Sequence, residues 1–403
     1  MNPNILYMQN SYMQTACAKV LTCAHAAGGY AIRLDSTLFF PNKGGQPCDL
    51  GSIGSARVLS VDESSEDIIH LTDAPLPIGA EVDLLLDWPR RHDIMQQHGG
   101  EHLLSACAWH LYDTHSVGFH CSESYATFDL NIPVTPAQIR EIETMANAIA
   151  AENRPIRARE YASEADIEGL PIRKQSEGIT LPLRLVEIEN HDLCTCCAPH
   201  LVHTGEIGQL KIISAQTLRG GTRLSFLCGQ RALAHAQALQ DITGALARKY
   251  STDWRSLPEV IEKQIAELSA IKHELHAARA ALDTYIASEL AGQATAGKIK
   301  ICIAAVQAMD GKRLRALTNR VSETIKTKSL CLLFSEHQGA LQYALCQNNT
   351  GADAGELLQP VNIAVGGKGG GRGPLAQGSA GKCPSALPEI IAQLTSYFTA
   401  RLK

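Results

Sequence analysis

The sequence has no basic excess: 36 lysines and arginines stand against 41 aspartates and glutamates, for a formal net charge of −5. That balance excludes a generic nucleic-acid binder working through overall charge, because such binding rests on neutralising phosphates. It leaves room for one locally basic face. The opening stretch MNPNILYMQNSYMQTACAKV lacks a basic n-region and an apolar h-region, so no secretory signal is read there. No apolar run reaches the roughly 20 residues that span a bilayer, so no membrane role is expected and the cytosol is the expected compartment. Thirteen cysteines, an odd count in a chain of 403 residues, do not suit a short secreted disulfide scaffold. Most are expected to be small buried hydrophobes. No repeat of fixed period is found.

What is present is length for about two to four ordinary domains, with 45% hydrophobic and 19% charged residues. The fold class expected is α+β multidomain. Residues 1–90 alternate and turn often: AIRLDSTLFFP and EVDLLLDW read as strands around the glycine-rich PNKGGQPCDLG, so a small N-terminal β-barrel is expected. Residues 91–229 mix strand signals (LRLVEI, IGQLKIISAQ, TRLSFLCG) with a helix in TPAQIREIETMANAIAAEN, capped by Thr135 with Pro136 in its first turn. Residues 230–291 read as a helical hairpin or coiled-coil linker. There Ser256–Glu259 suggests a capping box, and Ile261, Ile265, Leu268, Ile271, Leu275, Ala278, Leu282 and Ile286 step by threes and fours. Such a seam packs on the preceding helix or on a second copy. Residues 292–403 return to α/β character and carry the basic share: eight lysines and arginines lie between Lys298 and Lys328, against Asp310 and Glu323.

MQQHGGEHLLSACAWH, from Met95 to His110, reads as a helix despite Gly99 and Gly100, each costing about 1 kcal/mol relative to alanine. His98 and His102, four apart, point the same way and can share one ion. Cys196 and His200, also four apart in HDLCTCCAPHLVHTGEIG, supply a second pair. Three imidazoles and one thiolate suit zinc, and zinc binding, on the order of 10 kcal/mol, outweighs the cost of the two glycines.

At this point the motifs resemble a known family, the AlaX-type alanyl-tRNA editing proteins, relatives of the editing domain of alanyl-tRNA synthetase. FFPNKGGQPCDLG resembles the family's glycine-rich loop, with Lys43 where a third glycine is usual. HGGEH resembles the H-[ST]-G-E-H of the long forms, with Gly99 in place of the hydroxyl residue. VGFHCS resembles a substrate-pocket stretch, and CTCCAPHLVHTGEIGQLKI resembles C-x-x-x-H followed by T-G-E-I-G. GGKGGGRGPLAQG resembles the glycine-rich signature of the DHH-associated RNA-binding domain. The resemblance implies a free-standing, zinc-dependent deacylase acting in trans on tRNA(Ala) mischarged with serine first and glycine second. It implies Glu101 as general base or ligand of the substrate amino group, with Gln46, Gly118 and His120 as pocket walls. It also implies Lys368 and Arg372 as RNA contacts, and the helical seam leaves open a homodimer through the helical or C-terminal region.

Two other readings are carried. HGGEH also fits the H-x-x-E-H of a zinc metalloprotease, with Glu177 as further ligand, but this leaves Cys196 and His200 unused. A tRNA-binding accessory factor without hydrolysis would account for Lys43 and Gly99. Cys194 and Cys197 form a C-x-x-C without thioredoxin-like context and read as structural or as neighbours of the metal, while His120 and His203 could support its ligands.

Overall fold

A short helix α1 (Leu6–Gln9) leads into six strands that close on themselves: β1 (Thr15–Ala26), β2 (Gly29–Leu34), β3 (Gly51–Ile53), β4 (Ala56–Ser64), β5 (Asp67–Thr72) and β6 (Glu81–Leu86). Their order around the barrel is β1-β2-β5-β4-β3-β6, and closure leaves no edge strand. Strand alternation turns Val20, Ile32, Ile53, Val61 and Leu84 inward to fill it. The strand expected over AIRLDSTLFFP stops at Leu34; Leu38, Phe39 and Phe40 follow as buried non-strand residues. The structure is a computed structural model in which residues 4–64, 67–173 and 181–402 are described. Glu177 lies outside these residues.

The long helix α2 (Trp88–Tyr112) leaves the barrel directly. Asp87 caps it by accepting the Arg90 N–H at 3.2 Å, with Pro89 in the first turn. Arg91, wholly buried, ties its start to the barrel through Asp49 at 2.5 Å and the carbonyls of Leu38 and Ser11. Every residue from Ile94 to Ala108 is buried, as a helix wrapped on all sides must be.

The wrapping comes from β7 (Ser116–Cys121), β8 (Ala126–Leu130), α3 (Pro136–Ala151), β9 (Ile156–Tyr161), β10 (Leu183–Ile188), β11 (Asp192–Thr195), β12 (Leu210–Leu218) and β13 (Gly221–Cys228). They form a sheet of order β12-β13-β8-β7 and a smaller sheet β11-β10-β9. Thr135 caps α3 as expected, and Gln138 completes a capping box with it. One of the two α2 glycines now has a cause. A Cβ at Gly100 would overlap Cys228 Sγ and lie 3.2 Å from Phe226 Cε2 on β13, so this close approach needs glycine. A Cβ at Gly99 would meet only side-chain atoms, Ile207 Cγ1 at 3.3 Å and Leu201 Cδ1 at 3.7 Å. Helix α4 (Gly229–Lys249) completes a first compact unit, Met1–Lys249.

The second unit, Tyr250–Lys403, opens with α5 (Leu257–Gly292). Ser256 stands at its N-cap but makes no side-chain capping bond, so the capping box expected there is absent; Pro258 alone marks the first turn. Ile265, Leu268, Ile271, Leu275 and Leu282 are exposed along α5, whereas Ala287 and Leu290 near its end are buried. Next come β14 (Lys300–Gln307), α6 (Gly311–Ile325), β15 (Ser329–His337), β16 (Ala340–Asn348), α7 (Ala354–Val365), β17 (Lys368–Arg372), β18 (Leu375–Ala380) and α8 (Leu387–Arg401). The sheet order is β14-β15-β16-β18-β17, with only β14 and β15 parallel. β15 is covered on both faces, which is why it reads as one apolar run. Leu330, Leu332 and Phe334 meet α7 and α8, while Cys331 and Leu333 meet α6 and the end of α5. The KGGGR stretch is an exposed edge strand rather than a free loop, and a Cβ at Gly369 or Gly371 would strike the backbone of β18.

Candidate metal centre

His98 and His102 leave α2 one turn apart and stack, with ring centroids 4.8 Å apart and their Nε2 atoms at 2.9 Å. Cys196 and His200 come from the segment after β11. Cys196 Sγ lies 3.3 Å from His98 Nε2, and the His200 ring stands edge-on to both other imidazoles at 4.9 and 4.8 Å. One ligand atom from each of the four falls within 4.8 Å of the others.

Each ligand is held from outside. Lys43 and Gln46 close a tight turn on each other's backbone, and Gly45 accepts the Cys121 N–H at 2.7 Å, docking the turn on β7. Gly45 sits at φ +77° against Phe119, where a Cβ would strike the carbonyl. The turn thereby brings Gln46 Oε1 to 2.7 Å from His98 Nδ1, and Phe119 packs edge-on against the His98 ring at 5.3 Å. Cys194 Sγ lies 3.0 Å from His102 Nδ1. Ser11 Oγ donates to the His200 carbonyl at 2.7 Å. Arg184 Nη1 donates to the carbonyls of Cys196 at 2.7 Å and Ala198 at 3.0 Å, pinning the ligand segment to β10.

Gln46 Oε1 can only accept, so His98 carries its proton on Nδ1 and turns the Nε2 lone pair to the centre. His102 Nδ1 faces Cys194 Sγ, which turns its Nε2 to the same point. His200 Nε2 is buried without a hydrogen-bond partner. Burial lowers the His98 pKa to about 3, with the neighbouring His102 adding to the shift, and lowers His200 well below its ordinary value. Both are therefore neutral ligands at neutral pH. Burial pushes the Cys196 thiol up to about 12, so it holds its proton until a cation displaces it. The donor set fits a metal ion. A second group, His102, Asp192 and Cys194, shares one histidine with the first. There Asp192 is already taken by a buried two-pronged pair with Arg173, at 2.6 and 2.8 Å.

The other expected site residues fall in different places. Glu101 is buried beside His102 in sequence, and its Oε1 accepts from Ser116 Oγ at 2.8 Å. Gly118 and His120 flank Phe119 on β7; Phe119 meets His98, whereas His120 is exposed. Lys368 and Arg372 are exposed at the two ends of β17 in the other unit. His203 is half-buried at the start of the TGEI turn, 4.0 Å from Glu206. Phe119 and Arg184 were not singled out from the sequence, whereas Cys194, read there as structural or as a neighbour of the metal, lies 3.0 Å from His102 Nδ1. A cavity of about 510 Å³ opens beside the centre, lined among others by Phe40, Lys43, His98, Glu160, Arg184 and Cys196.

Residues 183–224 match the threonyl and alanyl tRNA synthetase second additional domain, and residues 298–400 match the DHHA1 domain. The alanyl-tRNA editing protein AlaX-L of Pyrococcus horikoshii is 27% identical over 96% of this chain and 97% of its own length. Over nearly its whole length the chain is thus similar to a long-form AlaX protein. Other relatives match over part of their length. The alanine–tRNA ligase of Ignicoccus hospitalis is 31% identical over 98% of this chain and 44% of its own. The alanyl-tRNA editing protein Aarsd1 of Bos taurus is 33% identical over 54% of this chain and 50% of its own. The chain thus spans about half the length of these two relatives. Among its described residues no helix is long and apolar enough to cross a membrane.

Proposed function

We propose that this chain hydrolyses the ester joining a wrong amino acid to the 3′ end of tRNA(Ala), acting in trans in the cytoplasm, with serine the preferred target and glycine the second. The observation that carries the reading is the convergence of His98, His102, Cys196 and His200 on one point beside a cavity. The editing activity named for AlaX-L and Aarsd1 is extended here to the whole chain. A synthetase pocket rejects a slightly different small amino acid weakly, and a second, hydrolytic site supplies the missing discrimination.

The ion is proposed to be zinc, held by those four residues. Bound there, zinc would polarise an ester carbonyl or activate water. Gln46 keeps His98 in the ligating tautomer, and Cys194 faces His102 Nδ1. Glu101, a buried carboxylate beside the pair, is the proposed acceptor of a proton from water, with Ser116 fixing one of its oxygens. Lys43 and Gly44 line the cavity and Phe119 packs on His98, while Gly118 and His120 on the same strand are further proposed pocket residues. Lys368 and Arg372 on the exposed β17 edge are proposed contacts to the tRNA body, and the exposed apolar line of α5 a proposed pairing surface for a second copy.

The accessory-factor reading loses one of its motives, because position 99 points at Ile207 and Leu201. The test is deacylation of seryl-, glycyl- and alanyl-tRNA(Ala) by the zinc-loaded chain. Seryl ester is expected to go fastest and alanyl ester to be spared; equal rates on all three would remove the editing claim.

A further inference from the structure

Two buried side-chain nitrogens lack a hydrogen-bond partner among the described residues, His200 Nε2 and Arg184 Nε. A cation accounts for the first. The second remains, and it belongs to a guanidinium in the wall of the same cavity. An unpaired buried donor on a charged group is costly, so it points to a partner supplied from outside the chain.

The way Arg184 is held indicates the shape of that partner. The side chain is 9% exposed and rises from β10. Its Nη1 is spent on the carbonyls of Cys196 and Ala198. Its Nε and Nη2 make no hydrogen bond, and Arg184 forms no ion pair among the described residues. Glu160, its register partner on β9, also lines the cavity, and Lys43 is engaged with Glu63 at 2.5 Å. The free edge, Nε with Nη2, is the one whose two parallel N–H groups match two oxygens of a carboxylate or phosphate. Its other edge is anchored on the segment carrying two candidate metal ligands, so the fork is fixed in place relative to the centre.

We infer that the Nε–Nη2 edge of Arg184 seats a phosphate group, that of the terminal nucleotide of the RNA whose 3′ ester lies at the metal centre. The inference rests on the proposed editing reading for the identity of the ligand. In the 3′ end of an aminoacyl-tRNA the amino group is cationic and the ester neutral. The phosphodiester before the terminal adenosine is the anion nearest the reacting bond.

The experiment uses the zinc-loaded full chain and measures binding of adenosine 5′-monophosphate and of adenosine by calorimetry at physiological salt. The wild type should bind the monophosphate roughly tenfold or more tighter than adenosine, the scale that charge-assisted hydrogen bonds supply. Arg184→Gln, which also removes the Nη1 bonds to the Cys196 and Ala198 carbonyls, should bring the monophosphate down to the adenosine level, and its zinc content, read by elemental analysis, separates loss of the seat from loss of the centre. Arg184→Lys, with charge but no fork, should recover part of the preference. Equal binding of the two ligands by wild type would overturn the inference, and so would an Arg184→Gln protein that keeps the monophosphate preference. If Arg184→Gln fails to fold, the wild-type comparison still decides. Deacylation is scored separately: a monophosphate preference without hydrolysis of mischarged tRNA sinks the editing reading alone. Hydrolysis without that preference sinks the phosphate seat alone.

Discussion

Adding one methyl group to either glycine of α2 should have opposite consequences one residue apart. Gly100→Ala places a Cβ into Cys228 Sγ and 3.2 Å from Phe226 Cε2, both fully buried on β13. Neither neighbour has room to retreat, so the cost is overpacking, about 3 kcal/mol at the upper end of the usual range. The gain in helix propensity returns about 1 kcal/mol, leaving a net loss of about 2 kcal/mol. For a unit the size of Met1–Lys249 that lowers the melting temperature by roughly 4–8 °C. Gly99→Ala meets Ile207 Cγ1 at 3.3 Å and Cδ1 at 3.5 Å, a side chain that can give by a few tenths of an ångström, and Leu201 Cδ1 at an ordinary 3.7 Å. Propensity and contact then nearly cancel, and stability should stay within about 1 kcal/mol of wild type. Calorimetry on the zinc-loaded chains reads both. A Gly100→Ala protein as stable as wild type would refute this account of α2, as would a Gly99→Ala protein that falls equally far.

Further outcomes are expected. Zinc binding near neutral pH should release one proton, from Cys196, since burial holds its thiol up to about 12 while His98, at about 3, is already neutral; calorimetry in buffers of different ionisation enthalpy counts it. Without metal, stability should fall as pH drops from 6.5 towards 4. His98 and His70, whose pKa values burial lowers to about 3 and about 4, take up protons only on unfolding, so urea titrations should shift by up to about 1.4 kcal/mol per pH unit for each. Cys194→Ala should keep one ion per chain but weaken its binding roughly tenfold, by removing the Nδ1 partner of His102; unchanged chelator competition would exclude that role. Lys368→Ala with Arg372→Ala should weaken tRNA binding and flatten its salt dependence by about two units of slope, without altering zinc content.

Much of the site was legible because helix period is rigid. Residues four apart on α2 must share a face, so His98 and His102 could be paired from sequence alone. Facing within a strand was less accessible. VGFHCS marks the right segment, but Phe119 meets His98 while its neighbours Gly118 and His120 do not, and nothing local says which alternate set turns inward. Arg184 was hidden inside LRLVEI, where an arginine among apolar residues reads as a solvent-facing strand position. Only the return of the Cys196–His200 segment buries it. The α2 glycines read as a tolerance for metal, whereas Gly100 answers to β13, a contact separated from it by more than a hundred residues. The seam of α5 has coiled-coil spacing, yet its middle positions are exposed and only its end joins the second unit's core. Periodicity identifies an apolar face without identifying its partner. A truncation that tests the tRNA contact is therefore better placed after Lys249 than within or after α5, whose last turns are part of that core.

The central claim is a single centre built from three imidazoles and one thiolate. X-ray absorption at the zinc edge, on the purified full chain, tests it most directly. The expected spectrum has nitrogen scatterers at about 2.0–2.1 Å and one sulfur at about 2.3 Å, with the sulfur lost in Cys196→Ala and zinc content falling in His102→Ala. A zinc shell without sulfur in the wild type, or a His102→Ala protein with full zinc and an unchanged spectrum, would contradict the account.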